Sequence, residues 1–212
     1  MCMLLNKKRK TVLAGRNFMV LDYRKRCTQK LVKETMIELL EEKPLHKIKV
    51  KELCEKAGIN RATFYHNFED IYDVYEILEN EFYGNYAKMS LDESMLESGE
   101  RIKVVFGKLI KYIHENKRLF MIFYRSDRCA ILLERMMETE TKRMASSADY
   151  NKWIKDETIA FDSEDELRKM NIFATNGTLG LLYTLFSLNE EIKDDELTEM
   201  LLKFFYKRML IK

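Results

Sequence analysis

Proline is nearly absent from this chain: Pro44 is the only one, beside seven glycines in 212 residues. So few breakers favour long helices over a turn-rich sheet. No run approaches eighteen consecutive apolar residues, so neither a transmembrane span nor a membrane partner is expected. The four cysteines, Cys2, Cys27, Cys54 and Cys129, lie far apart with no C-x-x-C pair. That spacing argues against a disulfide framework or a zinc site and fits a reducing, cytoplasmic setting. Cys54 falls on an apolar helix face, where packing is its expected role; a redox sensor needs an exposed, acidified thiol. Phosphate-loop, G-x-S-x-G and H-E-x-x-H motifs are missing, and His46, His66 and His114 are scattered. No enzyme, metal site or cofactor is therefore expected.

Charged residues make up 34% of the chain, yet the net charge is only +2. The charge is unevenly placed. Residues 1–68 hold 16 Lys+Arg against 7 Asp+Glu, a net of +9; residues 69–212 hold 21 against 28, a net of −7. A basic front half points to a polyanionic partner such as nucleic acid. Together with the scarcity of breakers, the composition predicts an all-α protein.

The most informative stretch is IKVKELCEKAGINRATFYHNFEDI, from Ile48 to Ile71. Val50, Leu53 and Cys54 repeat at helical spacing, which predicts a helix over Val50–Ala57 with one buried face. Gly58 then closes it in a left-handed turn, with Ile59 as a buried plug. Asn60 is a good N-cap for a second short helix over Arg61–Asn67. In that helix Phe64 and Phe68 face inward, leaving Arg61, Ala62, Thr63, Tyr65, His66 and Asn67 for the other side. A helix of two turns is marginal alone and must be held by its neighbours. The pattern is a helix-turn-helix whose second helix reads DNA in the major groove.

AGINRATFYHNF also resembles the segment written AGVSRGTFYRHF in TetR/AcrR-type transcriptional regulators. Ala57, Gly58, Ile59, Thr63, Phe64, Tyr65 and Phe68 fall in the family's positions, and the resemblance covers residues 24–71. It implies a DNA-binding regulator, by analogy a repressor that binds a palindromic operator as a homodimer and is released by an effector. It also implies roles by residue: Arg61 on guanine or phosphate, Ala62, Thr63 and His66 on base edges, Tyr65 and Asn67 on phosphates. Lys49 and Lys51 sit at a helix N-terminus, where charge and backbone N–H groups favour phosphate. One departure stands out. Where relatives carry a pattern like HFKDKEDL, this chain has NFEDIYDV, with Glu69 and Ile71 in place of lysines. Glu69 repels phosphate and Ile71 cannot bind it. That departure supports an alternative: an interaction protein of the same fold, regulated by a protein partner, with weak or atypical DNA binding.

Around this segment the expected organisation is a flexible N-terminal extension (1–22), a three-helix DNA-binding domain (23–70) and a helical ligand-binding and dimerisation domain (71–212). For the extension, with its basic run Lys7-Lys8-Arg9-Lys10, two readings stand: a basic arm that adds DNA affinity, or residues upstream of a natural start at Met19. Helix 1 is predicted over Arg24–Lys43, with Leu31, Val32, Thr35, Met36, Leu39 and Leu40 as its apolar stripe and Pro44 as its stop. A long helix 4 runs to about Met89; in the family this helix joins the two domains and carries the signal. Five more helices follow, near 100–115, 117–125, 127–154, 163–188 and 195–211. Trp153 sits near the end of helix 7, and Ser163–Glu166 has capping-box spacing at the start of helix 8.

Phe106, Tyr112, Phe120, Phe123, Met136, Met137, Phe173 and Tyr183 are candidates to line a small-molecule effector pocket, with ordinary core packing as the other reading. In the family the last two helices pair with their copies as a four-helix bundle. Ala174, Gly177, Thr178 and Leu181 on helix 8, and Leu197, Leu201, Phe204 and Arg208 on helix 9, are the matching candidates here.

Overall fold

The computed structural model describes residues 23–89, 98–146 and 163–206, and every regular element among them is a helix. In chain order these are α1 (23–42), α2 (Val50–Ala57), α3 (Arg61–Tyr65), α4 (Ile71–Met89), α5 (Ser98–Glu115), α6 (Lys117–Tyr124), α7 (Cys129–Ser146), α8 (Glu164–Ser187) and α9 (Asp194–Tyr206). The 1–22 extension, Trp153 with the predicted tail of α7, and Arg208 lie outside the described residues. The chain divides into two compact units between Leu78 and Glu79, inside α4 rather than at residue 70. The reason is burial. The first two turns of α4 bury Ile71, Val74, Tyr75 and Leu78, so they count with the first unit's core.

In the first unit α1 buries Val32, Thr35, Met36, Ile37, Leu39 and Leu40. Leu31, predicted in this stripe, is exposed at its edge; its carbonyl accepts the Thr35 hydroxyl at 2.9 Å. Pro44, in an extended conformation, follows the end of α1, and a 3-10 turn over Leu45–Lys47 leads on. Ile48, Leu53, Cys54 and Ala57 bury the inner side of the next segment. Val50 and Ile59 are only half-buried. Lys56 pairs with Glu42 at 2.8 Å and Glu38 at 3.4 Å, and Lys43 pairs with Glu52, tying α2 to α1. Exposed pairs like these contribute at most about 1 kcal/mol each. Each large apolar side chain buried beneath them contributes about 1.5–3 kcal/mol, so the apolar layer does most of the holding.

In the second unit α9 packs along α5, while α8 packs on α6 and α7. Aromatic rings fill the core. Phe82 meets Tyr112 and Phe123, each with ring centroids 5.3 Å apart, and Phe120 meets Phe186 at 6.2 Å. The Tyr112 hydroxyl donates to the Phe82 carbonyl at 2.7 Å. Burial of this phenol pushes its pKa up to about 12. The Ser163 side chain accepts from the Glu166 N–H and caps α8. Along α8, Gly180 is the position where close approach matters: a Cβ there would meet the Tyr124 hydroxyl at 3.2 Å.

Candidate nucleic-acid interface

The turn between α2 and α3 is built from backbone bonds that the sequence dictates. Gly58 adopts φ +63°, which a β-carbon disfavours. The Ile59 N–H donates to the Cys54 carbonyl at 3.0 Å and the Gly58 N–H to the Glu55 carbonyl at 3.3 Å. That pair satisfies two carbonyls at the end of α2 and swings the chain into α3. Asn60 Oδ1 then accepts the Ala62 N–H at 2.9 Å and starts the helix. α3 ends at Tyr65, two residues earlier than predicted; His66 and Asn67 form a tighter turn in which the N–H groups of Asn67 and Phe68 both donate to the Phe64 carbonyl.

Two phenylalanines hold this short helix. Phe64 is 0% exposed and packs against Phe68 with ring centroids 5.5 Å apart. Tyr65 meets the edge of Phe64 but remains 58% exposed. Arg61, Ala62, Thr63, Tyr65 and His66 are all exposed, and so are Lys49 and Lys51 at the start of α2. Asn67 differs: it is half-buried, and its Nδ2 donates to the Thr63 carbonyl at 2.8 Å, closing the end of α3.

Charge is also distributed unequally. Lys43 and Lys56 are committed to carboxylates on the neighbouring helix, and Lys51 approaches Glu55 at 3.8 Å. Lys49 and Arg61 make no ion pair among the described residues. Burial pushes the Cys54 thiol up, against the opposing pull of the Arg61 guanidinium. The thiol therefore stays protonated and behaves as a packing group.

The start of α4 explains the missing lysines locally. Ile71 is buried. Asp70 Oδ1 accepts the Asp73 N–H at 2.9 Å, while Asp73 Oδ2 accepts the Glu69 N–H at 3.0 Å. These two caps use acids because the helix N-terminus favours them. Tyr72, beside it, is exposed. Sequence periodicity had not singled it out, although it falls between the inward positions 71 and 74.

Residues 34–76 match the family model for bacterial regulatory proteins of the tetR family. The N-terminal segment thus carries the DNA-binding domain of the tetR family. The chain is accordingly a DNA-binding transcriptional regulator with a helix-turn-helix. No curated protein matches the chain. Among solved structures, a Clostridium perfringens protein described as a fatty acid metabolism regulator shares the fold with a TM-score of 0.67 and 16% identity, over 86% of this chain and 100% of that one. A tetR-family transcriptional regulator from Streptomyces coelicolor gives 0.62 and 16%, over 85% of this chain and 79% of that one. The fatty acid degradation regulator FadR from Bacillus halodurans gives 0.61 and 16%, over 86% and 94%. At such identities the likeness is one of fold.

The second unit places the other candidates as follows. Phe120, Phe123 and Met136 are core residues, with Tyr112 and Phe106 half-buried. Tyr183 stacks on Tyr124 at 4.6 Å. Met137 Sδ accepts from Asn176 Nδ2 at 3.2 Å. Phe173 does not join them: it is 58% exposed on α8. An open cleft of about 1400 Å³ lies elsewhere, along α5, the end of α8 and the start of α9, and none of these candidates lines it. Of the dimer candidates, Ala174, Thr178, Leu197 and Leu201 are buried within a single chain. Gly177 and Phe204 are exposed, and Leu181 is half-buried.

No helix among the described residues is long and apolar enough to cross a membrane.

Proposed function

We propose that the chain is a repressor that binds a palindromic operator as a homodimer and lets go when an effector binds its second unit. The observation that carries this reading is α3: four exposed side chains, with exposed His66 directly after them, suited to base edges and phosphates and held from behind by buried Phe64. Lys49, Lys51, Arg61, Ala62, Thr63, Tyr65 and His66 form the contact set, with Asn67 bracing the end of the helix. The homodimer is supported by apolar side chains exposed on the last two helices, Phe173 on α8 and Met200 and Phe204 on α9. The seam therefore uses Gly177, Leu181 and Phe204 with these neighbours, rather than Leu197 and Leu201, whose burial is already complete in one chain. A helix-turn-helix dimer places two reading helices on half-sites about one DNA turn apart, which is why a palindrome is expected.

The test is duplex binding over a range of salt, with sites from the chain's own upstream region against scrambled duplexes. Preferential binding that weakens steeply with salt supports the reading; equal binding to both sinks it. A second reading rests on the exposed carboxylate of Glu69 and the burial of Ile71, which remove the basic grip beside α3. In it, a protein partner carries the signal and DNA binding is weak. Arg61→Ala and Tyr65→Ala separate the two, because only the repressor loses its regulatory output.

A further inference from the structure

Along the Glu79–Tyr83 stretch of α4, two cation-receiving groups are filled by the chain's own arginines. Glu79 is the one charged side chain that is buried among the described residues, at 2% exposure. The Arg128 guanidinium meets it in a fork, Nη2 to Oε2 at 2.9 Å and Nε to Oε1 at 3.5 Å. One turn further along α4, the Arg135 guanidinium lies 4.1 Å from the centre of the Tyr83 ring and donates to Asn80 Oδ1 at 3.0 Å. Tyr83 is itself fixed, its hydroxyl 2.6 Å from Thr139 Oγ1. Residues four apart on a helix are neighbours, so the carboxylate and the ring share one side of α4.

The Glu79–Arg128 pair is asymmetric. The Arg128 side chain is 43% exposed, and that of Glu79 is 2% exposed. Arg128 can turn out into water and stay hydrated. Glu79 cannot, and a buried carboxylate stripped of its cation is strongly destabilising. Exchange is therefore one-sided. An incoming anion that took Arg128 would strand Glu79, whereas an incoming cation that took Glu79 would release Arg128 to solvent. The Tyr83 ring adds a face that attracts cations, the one on which Arg135 lies.

We propose that Glu79 is the anchor of a binding site for an organic cation with an aromatic or apolar body, which enters by displacing Arg128. Amidinium and guanidinium groups fit best, because they reproduce the two parallel bonds that Arg128 makes. The proposal deepens the effector-release reading and rests on it for its biological consequence, but the site is testable without DNA.

The experiment titrates the full chain with benzamidine, with neutral benzamide and with anionic benzoate, read by thermal unfolding and by calorimetry. Benzamidine should raise the unfolding temperature in a saturable way, and the other two should not. Glu79→Gln should lose the benzamidine response. Arg128→Ala should unfold at lower temperature and bind benzamidine at least tenfold more tightly, since the competing guanidinium is gone. If Arg128→Ala is unfolded alone, its recovery by benzamidine but not by benzamide gives the same answer. An equal response to benzamide, a preference for benzoate, an unchanged response in Glu79→Gln, or no response in wild type and Arg128→Ala alike would each overturn the site. Binding at Glu79 without loss of operator DNA would instead overturn effector release by this ligand class and leave the site standing.

Discussion

Among the large apolar side chains exposed on the first unit are Tyr23, Leu31, Tyr65 and Tyr72; on the second they are Ile131, Phe173, Leu188, Met200 and Phe204. Three of the first four end in a phenol, and none of the other five does. A tyrosine offers an apolar body with a hydrogen-bonding tip, which suits a wet, polar partner. Phenylalanine, isoleucine and methionine gain only from being covered by other apolar groups. The charge leans the same way: residues 1–78 hold 16 Lys+Arg against 11 Asp+Glu, a net of +5, and residues 79–212 hold 21 against 24, a net of −3. Under the proposed function these two kinds of surface meet two kinds of partner: a phosphate-lined duplex for one unit, and a second protein surface for the other.

The largest expected effect tests whether α3 is held from behind. Phe64→Ala should cost about 3–5 kcal/mol in urea unfolding and remove DNA binding with it. A loss below about 1 kcal/mol would show that a helix of five residues stands without its aromatic support. Next comes the second unit. Leu197→Ala should cost about 2–5 kcal/mol and leave the oligomeric state unchanged. Phe204→Glu should shift a dimer towards monomer in sedimentation while unfolding almost as the wild type does. The opposite pattern would mean that the α9 stripe, rather than its outer side, forms the seam.

Smaller in size is the phosphate term. Lys49→Ala should lower the slope of log affinity against log salt by about 0.9, with similar losses on specific and scrambled duplexes. The smallest effect is on pH. In the folded chain the Tyr112 phenol titrates near 12 rather than its ordinary 10.0, because it is buried. A raised folded value means the native state holds the proton more tightly. The associated stability is complete below pH 10 and is lost as pH rises from about 10 through 12. Tyr112→Phe should flatten unfolding midpoints over that window, and an unchanged profile would assign the alkaline loss to other groups.

Much of the first unit was legible because its signals are local. Gly58, Asn60 and the Phe64/Phe68 pair act within a few residues of one another, and their turn and capping bonds form where the sequence places them. The second unit was less legible, because periodicity reveals that a face is buried but not what buries it. Leu197 and Leu201, expected at a subunit seam, are buried within the single chain, where α9 packs along α5. Phe173 looked like a pocket aromatic by type alone and lies at the surface. Glu79 left a usable signal: it shares helical spacing with inward Tyr75, Leu78, Phe82 and Tyr86, and a charge at such a position demands a partner. Nothing local in the sequence identified that partner as Arg128, which lies on the turn before α7, 49 residues away.

The central claim is that exposed α3 reads sequence while the rest of the first unit supplies grip. It is tested most directly by comparing wild type with Arg61→Ala on an upstream-region duplex and on its scrambled counterpart, at several salt concentrations. The account predicts that wild type prefers the upstream duplex. Arg61→Ala should lose about 1–3 kcal/mol of that preference and keep its unfolding midpoint. Binding by wild type without preference, or an Arg61→Ala variant that discriminates as well as wild type, would contradict it.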